Sequence, residues 1–418
     1  MLRNAGVLVT LAGGAPRLGA ALGELGVRGQ AALAARDGRI AWIGGEGELD
    51  AAVTPTLDAV MVDARGAAVL PGFVDAHTHL LFEGDRDDEV RRRLAGVTYQ
   101  QIASEGGGIL RSVRATRGVT REQLAALVCE RLDEMLLQGT TTAEVKSGYG
   151  LSSEAEVRSL EALAAAARRH PVTVVPTFLG AHEVPPEHRA DREGYLRLLT
   201  DEMIPLVARR GLARFCDVFC EPGVFSVDES RRILGAAREH GLALRVHADE
   251  LAPAGGAELA AEMGARSADH LLHVSPEGIA ALARAGCAAT VLPSAAFYLR
   301  LGRFAPARAL VDAGAPLALA TDANPGGGLS PSMPFAMTIA CFAMGLSLEE
   351  AIAAATLNGA YAVGLEHEVG SLEVGKRADL LVLRSTRLLD LVRVGVPAIR
   401  GVVKHGQVVV WEGRRGAA

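Results

Sequence analysis

From residue 69 onward the sequence alternates short apolar segments with amphipathic helical segments. The predicted strands are residues 69–76, 140–146, 172–179, 215–220, 242–248, 267–270, 288–293 and 316–322. Several strands are apolar on both faces, as in Val172-Thr173-Val174-Val175, which is typical of a parallel sheet covered by helices on both sides. Strands that alternate with helices predict an α/β fold, and eight such units predict a (β/α)8 TIM barrel over residues 69–369.

Two of the intervening helices have recognisable starts. Thr120 with Gln123, and Ser153 with Glu156, match the S/T-x-x-E/Q pattern of a capping box. In a capping box the two side chains satisfy backbone N–H groups at the start of the helix. We therefore predict helices that begin at these two positions.

Residues 1–68 and 370–418 lack this alternation and contain strand-like segments. In the first segment, Asp37-Gly38 predicts a hairpin turn between two strands. Neither segment is long enough to bury a good core by itself. We therefore predict that both pair into one small composite β-sandwich domain beside the barrel.

Composition excludes several classes of protein. The net charge is −6 and the one dense basic run is Arg91-Arg92-Arg93, which argues against nucleic-acid binding. No window approaches the ~20 uninterrupted apolar residues that a membrane span needs. The 5 cysteines are scattered without a Cys-x-x-Cys motif, which favours reduced thiols in a cytoplasmic protein.

Metal-binding residue types follow several of the predicted strands. His77 and His79 follow the first strand, His247 ends the fifth, and Asp322 ends the eighth. In a (β/α)8 barrel these strand ends meet at one rim, where the chemistry takes place. The three imidazoles and the carboxylate predict a site for one divalent metal ion with positions left open for water and substrate.

Such a site predicts hydrolysis or hydrolytic deamination, because a bound divalent metal makes water a nucleophile at neutral pH. Glu250, three residues after His247, is a candidate donor of a proton to a leaving nitrogen, and the neighbouring Asp249 could exchange roles with it. His270 could orient the attacking water or stabilise an oxyanion. Asp322 could accept the proton of the water as well as bind the metal.

Longer motifs along the chain resemble a known family. They are Asp75-Ala76-His77-Thr78-His79-Leu80 followed by Arg86, Glu144-Val145-Lys146-Ser147-Gly148-Tyr149-Gly150, Phe178-Leu179-Gly180-Ala181-His182, His247-Ala248-Asp249-Glu250, Ser267-Ala268-Asp269-His270-Leu271, and Thr321-Asp322-Ala323-Asn324-Pro325-Gly326. On these motifs the chain resembles the amidohydrolase superfamily and, within it, the imidazolonepropionase family. The tail Gly370–Leu380 resembles the superfamily at large.

The resemblance implies hydrolytic opening of 4-imidazolone-5-propanoate to N-formimidoyl-L-glutamate by a cytoplasmic homodimer with one Zn or Fe ion. The propanoate of this substrate needs a cation, which Arg86 can supply as a bidentate fork. The planar ring needs fixed polar groups, for which the candidates are Tyr149, His182, Asn324, Glu250, the backbone at Gly326 and, as a further wall or tail contact, Tyr99.

Two features qualify the resemblance. Gly327-Gly328 stands where the family usually has Ser or Thr, so a hydroxyl contact to the substrate is absent here. Some members have Gln at the position of Glu250, which places that carboxylate below His270 in rank.

Three alternative functions share part of this pattern. A cytosine- or guanine-type deaminase has a similar metal set, but a neutral nucleobase gives no reason for Arg86. A dihydroorotase-like binuclear enzyme is disfavoured because the fourth strand, Phe215-Cys216-Asp217-Val218-Phe219-Cys220, has no lysine to bridge two metals. A catalytically silent binding protein on the same barrel would have lost ligands that this chain keeps.

Overall fold

The computed structural model describes residues 1–416, and within them the side chains of residues 99, 100 and 103 are not described. The strands are β1 Leu2–Val9, β2 Val27–Arg36, β3 Arg39–Gly45, β4 Val62–Asp63, β5 Ala68–Pro71, β6 Phe73–Asp75, β7 Thr140–Lys146, β8 Thr173–Ala181, β9 Phe215–Cys220, β10 Ala243–Ala248, β11 Ser267–His270, β12 Ala288–Val291, β13 Leu317–Leu319, β14 Leu380–Leu383, β15 Ile399–Lys404, β16 Gln407–Trp411 and β17 Arg414–Arg415.

The α-helices alternate with the central strands and also follow them. They are α1 Leu49–Ala52, α2 Asp87–Leu94, α3 Tyr99–Ser104, α4 Ile109–Arg117, α5 Arg121–Leu137, α6 Ser153–Arg169, α7 Arg192–Arg197, α8 Ile204–Arg209, α9 Val227–Glu239, α10 Gly256–Glu262, α11 Pro276–Ala285, α12 Pro293–Tyr298, α13 Ala307–Asp312, α14 Met333–Met344, α15 Leu348–Ala354 and α16 Leu357–Ala362. In the described part of the chain, no helix is both long and apolar enough to cross a membrane.

Strands β6 to β13 form a parallel barrel, as predicted. Within the described residues the sheet has 8 strands, each paired with its neighbours in chain order. The first and last strands meet just beyond their ends, where Thr78 bridges to Ala323. The backbone N–H of His79 donates to the Ala323 carbonyl at 2.9 Å, and that of Asp322 donates to the His77 carbonyl at 3.1 Å. The barrel therefore closes at the segments that carry the predicted metal ligands.

The strand predicted over residues 69–76 is two strands that belong to different sheets. β5 pairs with β1 and β14, whereas β6 pairs with β7 of the barrel. Gly72 lies between them, and a Cβ at this position would overlap the side chain of Thr141. The chain crosses from one sheet to the other at a residue with room for only a hydrogen.

A second, mixed sheet combines strands from before and after the barrel. Among the described residues it has 9 strands, in the order β17-β16-β15-β14-β5-β1-β2-β3, with β4 added on β1. Leu33 on β2 and Val403 on β15 belong to one buried cluster, so the sheet curves around its own core. The predicted sandwich is thus one continuous hydrogen-bonded sheet.

Helix starts agree with the sequence in one case and differ in the other. Thr120 and Gln123 form the predicted capping box of α5. The prediction for α6 is wrong by one residue, because the cap is Ser152, whose side chain accepts from the Ala155 N–H. Glu156 therefore does not reach back to a capping residue, and its carboxylate contacts the loop after β7 instead.

Helix α5 shows how the outer layer packs. Its side chains Leu124, Val128, Leu132 and Met135 are fully buried at a spacing of three or four residues, against β7 and α6. Burial of each such side chain contributes about 1.5–3 kcal/mol. This apolar layer holds the barrel strands, and hence their polar ends, in fixed positions.

Candidate metal centre and active site

Three imidazoles meet at the rim of the barrel. Their ligand atoms lie within 4.8 Å of one another and could hold a metal ion. The Nε2 atom of His79 is 3.2 Å from Nε2 of His77 and 3.3 Å from Nε2 of His247. Asp322 Oδ1 lies 3.6 Å from His77 Nε2 and 3.5 Å from His79 Nε2. The predicted set of four ligands is thus brought to one point.

Two of these imidazoles are backed by buried carboxylates. His77 Nδ1 is 2.6 Å from Asp269 Oδ2, and His247 Nδ1 is 3.0 Å from Asp217 Oδ2. A carboxylate accepts a hydrogen bond from an Nδ1 that carries the proton. In that tautomer the Nε2 lone pair of each ring is free to face the point where the three imidazoles meet. Burial lowers the pKa of His77 and that of His79 well below the ordinary value, so both imidazoles are neutral.

This arrangement fits a cation. The Nε2 atom of His79 lies 3.2 Å from that of His77 and 3.3 Å from that of His247, close enough for one cation to contact all three. Asp322 Oδ1 is buried and, in the described structure, accepts no hydrogen bond. Three imidazoles together with an unsatisfied carboxylate oxygen match the donor set of a catalytic divalent metal site, which keeps an open position.

Sequence reasoning missed a network of charged side chains below the ligands. Lys146 Nζ lies 2.7 Å from Asp217 and 2.9 Å from Glu144, and Arg245 lies 2.9 Å from Asp269. Burial alone would lower the pKa of Lys146, but the carboxylates of Asp217 and Glu144 raise it above its ordinary value. The available signal was Glu144 and Lys146 at alternate positions of an otherwise uncharged strand, which places both side chains on the same face.

Glu250 and His270 lie side by side next to the ligands. Glu250 Oε1 is 3.6 Å from His270 Nδ1, and both side chains are buried. Burial, together with the negative charges of Asp322 and Glu221, raises the pKa of Glu250 well above its ordinary value. His270 has a φ of +76°, an uncommon conformation for a non-glycine residue that the surrounding structure must stabilise.

The suggestion that Asp249 could exchange roles with Glu250 is wrong. The Asp249 carboxylate accepts hydrogen bonds from four backbone N–H groups at the start of α10, those of residues 254 to 257, at 2.8–3.2 Å. An ionised carboxylate can accept about four hydrogen bonds, so these four donors leave Asp249 no free lone pair for a substrate or a metal. Asp249 therefore fixes the loop after β10, and Glu250 is the carboxyl that faces the cleft.

Arg86 points into the same cleft from the first loop of the barrel. Its Nε donates to Ser112 Oγ at 3.1 Å, while its buried Nη2 has no hydrogen-bond partner in the described structure. A Cβ at Gly326 would overlap Arg86 Nη1, so only glycine leaves room for the guanidinium. The chain thus holds a buried cation with an unused donor beside the candidate metal centre.

Two aromatic side chains form another wall of the cleft. The ring of His182 stacks on that of His79, with centroids 5.1 Å apart and an interplanar angle of 20°, and Tyr149 lies 5.2 Å from His182. His182 Nδ1 donates to the Gly148 carbonyl at 3.0 Å, which leaves Nε2 as an acceptor. Burial lowers the pKa of His182 to about 3, so the ring is neutral.

Asn324 lines the cleft, but its side-chain amide forms hydrogen bonds with the backbone of its own loop. Its Nδ2 donates to the Asp322 carbonyl at 2.8 Å, and its Oδ1 accepts from the N–H groups of Gly326 and Gly327. A Cβ at Gly327 would lie 3.2 Å from Leu299, so this leucine fills the space next to the glycine. The contribution of Asn324 in this geometry is to shape the loop that carries Gly326.

The cleft brings together residues from several loops. Its lining includes His79, Arg86, Tyr149, His182, His247, Glu250, His270, Asp322, Asn324 and Gly327. His77 lies behind this surface and is fully buried. The prediction for Tyr99 lies outside the described side chains.

Known proteins with similar sequences identify the family of the chain. The sequence profile of the amidohydrolase family matches residues 99–410. The chain is 53% identical to imidazolonepropionase of Symbiobacterium thermophilum, over 99% of this chain and 98% of that protein. It is 48% identical to imidazolonepropionase of Geobacillus kaustophilus, again over 99% of this chain and 98% of the relative.

Solved structures with the same fold are more distant in sequence. An adenosine deaminase from Xanthomonas campestris with bound zinc superimposes with a TM-score of 0.73 at 20% identity, covering 100% of this chain and 94% of that chain. A 5-methylcytosine deaminase from Klebsiella pneumoniae gives a TM-score of 0.73 at 18% identity, covering 100% and 98%. These structures share the fold, while the sequence relatives define the group: the chain belongs to the amidohydrolase family and, within it, to the imidazolonepropionases.

Proposed function

We propose that this chain hydrolyses the cyclic amide C–N bond of 4-imidazolone-5-propanoate to give N-formimidoyl-L-glutamate, a step in histidine degradation. The names of its relatives at 42–53% identity support this substrate. The site supports the same reaction class, because its donor set suits a metal-activated water and its cleft holds groups that can move a proton.

One observation carries the choice of substrate. The buried guanidinium of Arg86 keeps an unused Nη2 donor, and the other His, Asp and Glu side chains that line the cleft supply imidazoles and carboxyl groups but no second guanidinium or ammonium group. A carboxylate on the substrate would accept from Arg86 and neutralise its charge. A neutral nucleobase would leave this buried cation unpaired, which is costly, so the deaminase alternative fits the cleft less well.

His77, His79, His247 and Asp322 would hold the metal ion, which we propose to be one Zn or Fe ion. When bound, such an ion supplies a nucleophilic water at neutral pH and polarises a carbonyl oxygen. The backing carboxylates Asp269 and Asp217 fix the orientation of two of the imidazoles.

Proton transfer falls to three side chains at the floor of the cleft. Because the pKa of Glu250 is raised, its carboxyl can carry a proton at neutral pH and donate it to the ring nitrogen that leaves. His270, neutral and within 3.6 Å of Glu250, is placed to hold the attacking water or the developing oxyanion. Asp322 is placed to accept the proton of the water, because its Oδ1 faces the point where the imidazoles converge.

The ring of the substrate would lie between Arg86 and the candidate metal centre. Tyr149 and His182 supply an aromatic wall, and Gly326 lets the backbone approach closely. Asn324 and Tyr99 complete the proposed substrate-binding set, Asn324 through the loop it shapes. We also propose that the chain acts in the cytoplasm as a homodimer; free thiols at all 5 cysteines support the compartment.

The test is direct turnover. Protein of measured metal content is incubated with 4-imidazolone-5-propanoate while loss of ring absorbance and appearance of N-formimidoyl-L-glutamate are followed. The expected result is stoichiometric conversion, which stops when the metal is chelated. A fully metallated preparation that leaves this substrate intact but releases ammonia from cytosine or guanine would reverse the assignment.

A further inference from the structure

Glu156 is a buried carboxylate for which the proposed mechanism has no use. It lies in the first turn of α6 and is fully buried. Its Oε1 accepts from the N–H groups of Gly150 and Leu151 at 2.8 Å each, and its Oε2 accepts from the Gly148 N–H at 3.2 Å. The side chain of Ser147 also donates to it. Four donors fill a carboxylate, so Glu156 holds the whole loop after β7.

The same loop is held from the opposite side by a cation. Arg117 Nε donates to the Gly150 carbonyl at 2.6 Å, and Arg117 Nη2 donates to the Leu151 carbonyl at 3.1 Å. Glu156 therefore binds backbone N–H groups of the loop, and Arg117 binds the carbonyls of Gly150 and Leu151. Such pairing leaves little freedom for residues 148–151.

The loop conformation needs this support. Leu151 has a φ of +49°, which is unfavourable for a leucine. Gly148 has a φ of +110°, and a Cβ there would lie 2.8 Å from the Leu179 carbonyl oxygen. Strained backbone persists only when surrounding contacts fix it. Among these contacts, Glu156 makes three of the backbone hydrogen bonds.

Two side chains of the proposed substrate site depend on this loop. Tyr149 lies between the two glycines whose N–H groups Glu156 binds. The carbonyl of Gly148 accepts from His182 Nδ1, which sets the orientation of the His182 ring. Displacement of the loop would therefore move Tyr149 and release His182 while leaving the candidate metal ligands on their strands.

We infer that Glu156 is a positioning residue, which fixes the substrate-facing wall formed by Tyr149 and His182 through the backbone of residues 147–151. It touches neither the substrate nor the candidate metal ligands. This inference rests on the proposed function for its kinetic consequence, and on the hydrogen bonds alone for its structural consequence.

The test compares Glu156→Ala and Glu156→Gln with the matched control Glu154→Ala. Glu154 lies in the same turn of α6, with its side chain 91% exposed and one contact, to Arg158 at 4.0 Å. The first measurement is amide hydrogen exchange of residues 147–151, which needs no substrate and so remains decisive if the proposed reaction is wrong. The second is the separation of KM from kcat, with metal content measured for each protein.

Both Glu156 variants are expected to exchange faster in residues 147–151. KM should rise about tenfold in Glu156→Ala, the scale of one lost hydrogen bond to the substrate. Metal content and kcat should stay within about twofold of wild type. The variant weakens binding of the substrate and of the transition state equally, which changes KM and leaves kcat unaffected. Glu156→Gln should show a smaller change, since its carbonyl can still accept from Gly150 and Leu151. Glu154→Ala should match wild type.

Three results would overturn the inference. One is slow exchange in residues 147–151 of the Glu156 variants. Another is a wild-type KM in a variant that exchanges fast. The third is a parallel loss of metal and kcat, which would place the effect at the metal centre. Should Glu156→Ala not fold, Glu156→Gln decides; should neither fold, Glu156 is a folding determinant and not a positioning residue.

Discussion

The two sides of the cleft are built differently. The candidate metal ligands stand on or next to barrel strands, and backbone hydrogen bonds between the first and last strands fix them. The proposed substrate contacts stand on loops, where side chains such as Glu156 and Asn324 hold the backbone. The difference teaches that strand pairing positions the candidate metal ligands, whereas the facing walls of the cleft need separate side-chain anchors.

The largest effect is expected on the strand side. His247→Ala removes one ligand, so bound metal should be lost and turnover should fall by at least about a thousandfold, because metal activation of water is worth several orders of magnitude. Metal analysis and kcat check this. The control is His240→Ala at the exposed end of α9, which should retain both. Full activity of metal-depleted His247→Ala would remove the basis for a metal centre.

On the loop side, Arg86→Met should leave metal content unchanged and lower kcat/KM about a hundredfold, the scale of a charge-assisted pair. The methyl ester of the substrate should be equally poor for wild type and variant. Steady-state kinetics with acid and ester form the test, and Arg91→Ala, on the exposed face of α2, is the control. If Arg86→Met still prefers the acid strongly, the carboxylate binds elsewhere.

The carboxylates that contact the candidate metal ligands from behind come next in size of expected effect. Asp217→Asn removes the carboxylate behind His247 and should weaken metal affinity about 10- to 100-fold, as outer partners of metal ligands do. Competition with a chelator of known affinity measures this. Asp228→Asn, an exposed carboxylate on α9 paired with Arg231, should leave the affinity unchanged. Equal affinities for Asp217→Asn and wild type would mean that strand geometry alone orients His247.

The pH dependence of metal binding sharpens the same point. Burial raises the pKa of Asp322 to about 7 in the metal-free chain, and that of His77 lies well below its ordinary value. Below pH 7 the metal must therefore displace a proton from Asp322, whereas the imidazole is already neutral. Affinity should rise about tenfold from about pH 6 to about pH 8 and level off above that. Asp322→Asn should bind more weakly and lose this slope; a slope retained in the variant would assign the proton to another group.

The smallest effect tests the fit of the guanidinium. Gly326→Ala places a methyl group against Arg86 Nη1 and should raise KM about fivefold, as overpacking costs about 1–3 kcal/mol. Metal affinity should not change. Gly235→Ala, a site on α9 with open space around it, is the control. An unchanged KM would show that Arg86 can move without loss.

Much of the fold was readable from the sequence, because apolar strands of a parallel sheet stand out between helices. The metal candidates His77, His79, His247 and Asp322 were visible because each lies at or just beyond the end of a strand. Lys146, Asp217 and Asp269 were not assigned, since a polar residue inside a strand acquires its partner only when distant strands pair. Glu156 was misread because a local capping pattern competed with the loop that it serves.

The sheet beside the barrel has a consequence for how the chain reaches its native state. β5 is hydrogen-bonded on one side to β1 and on the other to β14, which is synthesised only after the entire barrel. During translation the edge of β5 that pairs with β14 stays unpaired until residues 380–383 have left the ribosome. Such non-local pairing slows folding and exposes an edge to aggregation. Assembly of this enzyme is therefore completed late, by its last strands.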